Sequence, residues 1–78
     1  MNSDEFYQSR RKEWELLSNL VERAQRSVAR LSTREVEQLA SLYRAASSDL
    51  ALAKRDFPRH NVTQYLNQLV ARTHAILY

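Results

Sequence analysis

The polar residues that could do chemistry in this sequence are few, and the most suggestive set lies in its second half. Two basic side chains, a carboxylate, an amide and an imidazole occur there among apolar residues: Arg44, Asp49, Asn67, Arg72 and His74. Such groups can transfer a proton, coordinate a metal ion or bind a charged partner. No catalytic pattern joins them, because the chain has no Cys nucleophile and no Gly for a phosphate-binding loop. We therefore expect no enzyme, no cofactor and no metal site.

Asp49 is the member of this set whose partners can be predicted from chain geometry. Folding the first helix back on the second about Leu31 places Asp49 near Trp14. Folding the third helix back about Pro58 places it near Arg72. A partly buried carboxylate without a partner is costly. We expect Asp49 to accept a hydrogen bond from the Trp14 indole or to pair with Arg72.

The same folding places Arg44 near His74, on the second and third predicted helices. The simplest interpretation of the whole set is a polar clamp that fixes the register of the helices. The alternative is a docking site for a partner. His74 flanks an apolar helix face, where it can bond to the second helix or act as a ligand or proton switch.

Two short basic clusters are predicted to share one end of the fold. They are Arg10, Arg11 and Lys12 in the first helix and Lys54, Arg55 and Arg59 near the end of the second. Such an end can face nucleic acid, an anionic membrane surface or only water. The net charge is +3 and carboxylates are interspersed, whereas nucleic-acid binders usually gather more charge on one face. No nucleic-acid partner is therefore expected.

Helices must position all of these residues. The 78-residue chain has no Gly and one Pro, and strong helix formers dominate it. Apolar residues recur at three-and-four spacing over about residues 3–28, 33–57 and 61–78. Because both connections are short, neighbouring helices should be antiparallel. The sequence predicts one all-α domain, residues 1–78, folded as an up-down-up three-helix bundle.

Each helix has a recognisable start signal. Asn2 or Ser3 can cap the first helix, and Asn61 can cap the third. The second start is the clearest, since Ser32 and Glu35 have the spacing of a capping box. The predicted core faces are Trp14, Leu17, Val21, Ala24 and Val28, with Phe6, Leu16 and Leu20 beside them; Val36, Leu39, Tyr43, Ala46, Leu50, Ala53 and Phe57; and Val62, Leu66, Leu69, Thr73 and Ile76.

An ordered set of short motifs resembles a known family. The motifs are Trp14 with Leu17, then Leu42-Tyr43-Arg44, Asp49-Leu50-Ala51, Phe57-Pro58, Tyr65-Leu66-Asn67, Leu69-Val70-Ala71-Arg72, His74-Ala75 and Leu77-Tyr78. Together, with these gaps, they resemble the N-terminal region of the stage II sporulation protein M family of bacterial integral membrane proteins. The resemblance runs from about Phe6 to Tyr78. Each motif is unspecific when taken alone.

This resemblance implies a cytosolic helical segment on the cytoplasmic side of the bacterial inner membrane, followed shortly by transmembrane helices. The third helix has no stop signal before Tyr78, so we expect the chain to be one piece of a longer protein, with the missing membrane segment as its first partner. Relatives are often encoded beside a MoxR-type AAA ATPase and von Willebrand factor A-like proteins, which become candidate partners. The family supplies no catalytic residues to transfer.

Three functions remain open on the sequence. The first is a non-catalytic cytosolic scaffold or interaction domain of such a membrane protein. The second is a free-standing helical interaction module that self-associates, for example as a homodimer. The third is a small nucleic-acid-binding bundle.

Overall fold

The computed structural model describes all 78 residues, and every regular element in it is helical. Helix α1 spans Ser3–Arg26, a 3-10 turn spans Val28–Arg30, helix α2 spans Thr33–Asp56 and helix α3 spans Asn61–Leu77. The predicted three-helix bundle is confirmed. A 24-residue helix such as α1 is about 36 Å long at the usual rise, in keeping with the 39 Å long axis of the molecule.

The order of the helices follows from side-chain pairs along the bundle. Contacts between α1 and α2, and between α2 and α3, join early residues of one helix to late residues of the next, whereas those between α1 and α3 join residues in parallel order. The pairs are Arg10 with Asp49 and Arg23 with Glu35; Ala53 with Thr63 and Tyr43 with His74; Trp14 with Tyr65 and Gln25 with Arg72. Helices α1 and α3 therefore point the same way, and α2 runs opposite to both.

Local caps begin the first two helices as predicted. The Asn2 side chain accepts a hydrogen bond from the backbone N–H of Glu5 at 2.8 Å. Ser32 and Glu35 form a complete capping box, in which each side chain accepts from the other's backbone N–H at 3.1 Å. Both arrangements satisfy amides that the first turn of a helix leaves unpaired.

The predicted cap of α3 was wrong by one residue. Asn61 is already the first helical residue, and the cap is His60. His60 has an extended backbone, and its Nδ1 accepts from the Val62 N–H at 3.1 Å. An unprotonated imidazole nitrogen can replace the usual Asn or Ser oxygen as the acceptor.

Helix α1 ends two residues earlier than predicted. Ser27 is extended, with φ −165° and ψ 105°, and the chain then enters the 3-10 turn. Val28 leaves the core face for this reason and is 53% exposed. Leu16, predicted beside the core, is 40% exposed because it lies about 200° around α1 from Trp14.

One apolar core joins the three helices. Its buried members are Phe6, Trp14, Leu17, Leu20, Val21, Leu39, Ala46, Leu50, Ala53, Val62, Leu66 and Leu69. Val36, predicted on the α2 face, is instead 39% exposed. Thr63 and Thr73 are the buried polar residues, and each hydroxyl donates to a backbone carbonyl. None of the helices combines the length and the apolar character that crossing a bilayer requires.

Candidate functional site

Asp49 joins α1 to α2 through two side chains. Its Oδ2 accepts one hydrogen bond from Trp14 Nε1 and another from Arg10 Nε, each at 2.8 Å. The Asp49 side chain is 15% exposed, and Trp14 is buried. The predicted Trp14 bond is therefore confirmed. From here on, the polar clamp means Arg10, Trp14 and Asp49, a group that shares only Asp49 with the predicted set.

The alternative pairing of Asp49 with Arg72 was wrong. Arg72 instead donates to the Gln25 side chain at 3.1 Å, linking α3 to α1. The long Arg72 side chain extends from α3 to α1, whereas Asp49 faces α1 and already accepts hydrogen bonds from two donors.

The other members of the predicted polar set lie apart from the clamp. Arg44, Asn67 and His74 are exposed, and their side chains make no hydrogen bond or ion pair. His74 stacks on Tyr78 with ring centroids 5.0 Å apart, and it lies 6.2 Å from Tyr43. The structure therefore separates Asp49, a partly buried clamp residue, from three surface residues.

Half of the cations at the predicted basic end are paired with carboxylates. Arg10 pairs with Glu13 as well as Asp49, Arg11 pairs with Glu15 at 3.7 Å, and Arg55 pairs with its neighbour Asp56. The hydrogen bond from Arg55 also holds the pKa of Asp56 below its usual value. Three cations of the cluster, Lys12, Lys54 and Arg59, are exposed and have no ion pair.

A surface groove runs between α1 and the start of α3. It consists of two adjoining hollows of about 310 and 200 Å³ that share Tyr7 and Tyr65 as walls. The other lining residues are Ser3, Asp4, His60, Asn61 and Val62 in the larger hollow, and Arg11, Trp14 and Glu15 in the smaller one. We call this feature the aromatic groove.

The walls of the aromatic groove are half-exposed tyrosines packed on a fixed tryptophan. Tyr7 is 43% and Tyr65 40% exposed. Their ring centroids lie 6.2 and 6.3 Å from that of Trp14, within the range of aromatic pairs. Partial burial raises the pKa of the Tyr65 hydroxyl above its usual value. Both tyrosines can therefore offer a ring face and a hydroxyl donor.

The groove carries more negative than positive charge, although the whole chain has a net charge of +3. Asp4 lines the larger hollow without an ion pair. Glu15 and Arg11 line the smaller hollow and are only loosely paired. His60 has its Nδ1 committed to the Val62 amide. The free charge in the groove is therefore that of the Asp4 carboxylate.

Sequence reasoning missed this groove, because it placed Trp14 on the core face of the first helix and used Tyr65 only as a motif residue. A signal was present in the spacing of Tyr7, Arg11 and Trp14, which places all three on one side of a helix. The arrangement can bind a ligand through aromatic faces and one carboxylate. No group of three or more metal-ligating side chains lies together anywhere in the chain.

Comparison with protein families identifies the chain over nearly its whole length. A family model described as a domain of unknown function matches residues 4–78. The chain belongs to the DUF8413 family. Apart from Ser3, this match covers all three helices of the DUF8413 domain, the polar clamp and the aromatic groove. Searches of curated proteins and of solved structures return no match.

Proposed function

We propose that this DUF8413 domain is a non-catalytic interaction domain, the cytosolic scaffold of a multi-pass membrane protein resembling stage II sporulation protein M. The aromatic groove is the observation that carries the interaction part of this proposal. Tyrosines supply a large contact area and lose little conformational entropy on binding, which is why binding surfaces are rich in them. Tyr7 and Tyr65 are held on Trp14, and the polar clamp in turn holds Trp14.

The chemistry of the groove favours a partner segment with a basic side chain. Such a side chain can lie against the faces of Tyr7 and Tyr65, because aromatic rings attract cations. The unpaired Asp4 carboxylate can then accept its hydrogen bond. We therefore propose as occupant a segment of another protein in which Arg or Lys is flanked by apolar residues.

The membrane context rests on the resemblance in sequence, and the geometry of Asp49 is compatible with it. Asp49 belongs to the motif set on which the resemblance is based, and it also holds α1 and α2 in register. A scaffold that positions a partner at the cytoplasmic side of the bacterial inner membrane needs such a fixed register. A MoxR-type AAA ATPase or a von Willebrand factor A-like protein encoded beside the gene is the partner we propose to test first.

The interaction is tested with the purified 78-residue chain and the neighbouring ATPase and von Willebrand factor A-like proteins, by isothermal titration calorimetry. Tyr7→Ser should weaken binding at least tenfold, the usual effect of removing a strong interface contact. Leu16→Ser is the matched control, because Leu16 is similarly exposed but lies on the opposite side of α1. Equal loss in both variants, or no binding by the unmodified chain, would contradict this role of the groove.

The membrane context is tested by reading the source gene past codon 78. The proposal expects apolar segments of roughly 20 residues, long enough to span a bilayer. A stop codon close to codon 78 would refute it, and would favour the self-associating module, whose melting temperature depends on protein concentration.

A further inference from the structure

Three arginines without ion pairs surround the connection between α1 and α2. Arg26 is the last residue of α1, Arg30 ends the 3-10 turn and Arg34 is the second residue of α2. All three are exposed and have no ion-pair partner. Residues 26–34 contain no Asp or Glu, and the exposed Val28 lies among the arginines. We call Arg26, Val28, Arg30 and Arg34 the arginine end.

The fold does not need this arrangement of charge. Arg26 suits the C-terminal end of α1, where cations interact favourably with the helix dipole. Arg34 has the opposite setting, because it lies in the first turn of α2, where a positive charge is unfavourable. The neighbouring Glu35 is bonded to Arg23 and does not compensate Arg34. Arg34 therefore gains no stabilisation from the helix dipole and keeps its charge free at the surface.

The arginine end lies at the same end of the bundle as the C-terminal end of α3. Helix α3 is parallel to α1, and Arg72 donates to Gln25, one residue before the end of α1. The last residues of α3 consequently approach the arginine end rather than the opposite end of the bundle. A membrane segment that follows α3 would leave the bundle on this side.

We propose that the arginine end docks on an anionic lipid surface, with Arg26, Arg30 and Arg34 at the phosphate groups and Val28 among the headgroups. This inference rests on the proposed membrane context, since a segment leaving α3 would hold the arginine end against the bilayer. The nearest unpaired carboxylates, Glu22 and Glu37, lie about one helical turn further back on α1 and α2. Basic residues next to a membrane are attracted by its anionic lipids over about one Debye length.

The test measures co-sedimentation of the 78-residue chain with vesicles of equal parts phosphatidylglycerol and phosphatidylcholine. Each basic residue at such a surface raises the partition coefficient about fivefold, so three give at most on the order of 100-fold, which the repulsion of Glu22 and Glu37 reduces. This is a weak interaction, and it requires lipid at millimolar concentration. Replacing Arg26, Arg30 and Arg34 together by Gln should remove nearly all of the binding.

The matched control replaces Lys12, Lys54 and Arg59 by Gln. These residues are also exposed and unpaired, and the control loses the same charge. Their distance from the arginine end, along a molecule 39 Å long, exceeds the Debye length of about 10 Å at 0.1 M salt. The control should keep most of the binding, because carboxylates lie beside its cations in the chain (Glu13 next to Lys12, Asp56 near Lys54), whereas residues 26–34 contain none. Arg34→Gln alone should weaken binding about fivefold without lowering the urea midpoint.

Several outcomes would overturn the docking surface. They are equal loss in both triple variants, equal binding to pure phosphatidylcholine, no binding to the anionic vesicles, and tighter binding to a random-sequence RNA through the same arginines. Reading the source gene separates this result from the proposed function. Vesicle binding without membrane segments in the gene would leave a peripheral docking surface, whereas membrane segments without vesicle binding would leave the scaffold and remove the docking surface.

Discussion

Replacing Asp49 by Ala removes the one acceptor shared by Trp14 and Arg10. The Trp14 Nε1–H lies in a side chain that is 1% exposed, and Asp49 Oδ2 is its hydrogen-bond partner. A buried donor left without an acceptor costs about 1–3 kcal/mol. Arg10 adds little, because it is partly solvated and can keep its pairing with Glu13. We therefore expect Asp49→Ala to lower the free energy of unfolding by about 1–3 kcal/mol.

That loss is large for a domain of this size. At 0.05–0.15 kcal/mol per residue, a domain of 78 residues has a stability of about 4–12 kcal/mol. With a urea m-value of about 1 kcal/mol/M, the low end of the usual range, the midpoint of unfolding should fall by about 1–3 M. Equilibrium urea melts followed by circular dichroism at 222 nm, the standard helix signal, measure this shift directly.

A double-mutant cycle separates the Trp14 bond from the other effects of the substitution. Trp14→Phe keeps an aromatic ring in the core but removes the donor, so Asp49→Ala should cost at least 0.5 kcal/mol less in that background. Asp49→Asn, which retains an acceptor oxygen, should recover part of the lost stability. An unchanged urea midpoint for Asp49→Ala would refute the clamp, and would mean that water satisfies the indole.

Three further outcomes test the core, the caps and the charges. Leu50→Ala should lower the free energy of unfolding by roughly 2–5 kcal/mol in urea melts, as truncations of buried Leu do; a harmless substitution would place Leu50 outside the core. Ser32→Ala should cost about 1 kcal/mol, because it removes the acceptor of the capping box, and a fully retained urea midpoint would argue against that box. The hydrogen bond from Arg23 lowers the pKa of Glu35 below its ordinary value of 4.5. The Arg23–Glu35 pair therefore stabilises the fold fully above about pH 4.5, and this stabilisation is lost as the pH falls through the lower pKa of Glu35 in the folded state. Glu35→Gln should make the urea midpoint less dependent on pH in that range, and an identical pH profile would show that the pair contributes nothing.

The fold could be predicted from the sequence because its signals are local and agree with one another. The apolar spacing defined three helices, Ser32 and Glu35 fixed the start of α2, and short connections required antiparallel neighbours. The errors lie at the ends of helices. Ser27 becomes extended although no Gly or Pro marks the end of α1 in the sequence. The prediction chose Asn61 rather than His60 as the cap of α3 because His is rarely considered a capping residue.

The site was harder to predict because it depends on how long side chains are oriented. Folding the helices back on one another was enough to predict the contact between Asp49 and Trp14, since the large indole ring allows an error of about one helical turn in the predicted register. The same geometry offered Arg72 as the alternative partner and missed Arg10, because a long guanidinium side chain can reach several carboxylates and amides. Arg10 was assigned to the basic end because Arg11 and Lys12 follow it in the sequence, whereas its side chain belongs to the polar clamp.

Trp14 connects the two features of the molecule that bear on binding. One edge of its ring donates to Asp49 inside the bundle, while the ring also lines the hollow between Tyr7 and Tyr65. Moving the indole would break a buried hydrogen bond and disturb the contact between α1 and α2. Asp49, which lies on α2, thereby restrains the ring on which Tyr7 and Tyr65 pack. A loss of partner binding in Asp49→Asn, larger than its loss of stability explains, would be the signature of this connection.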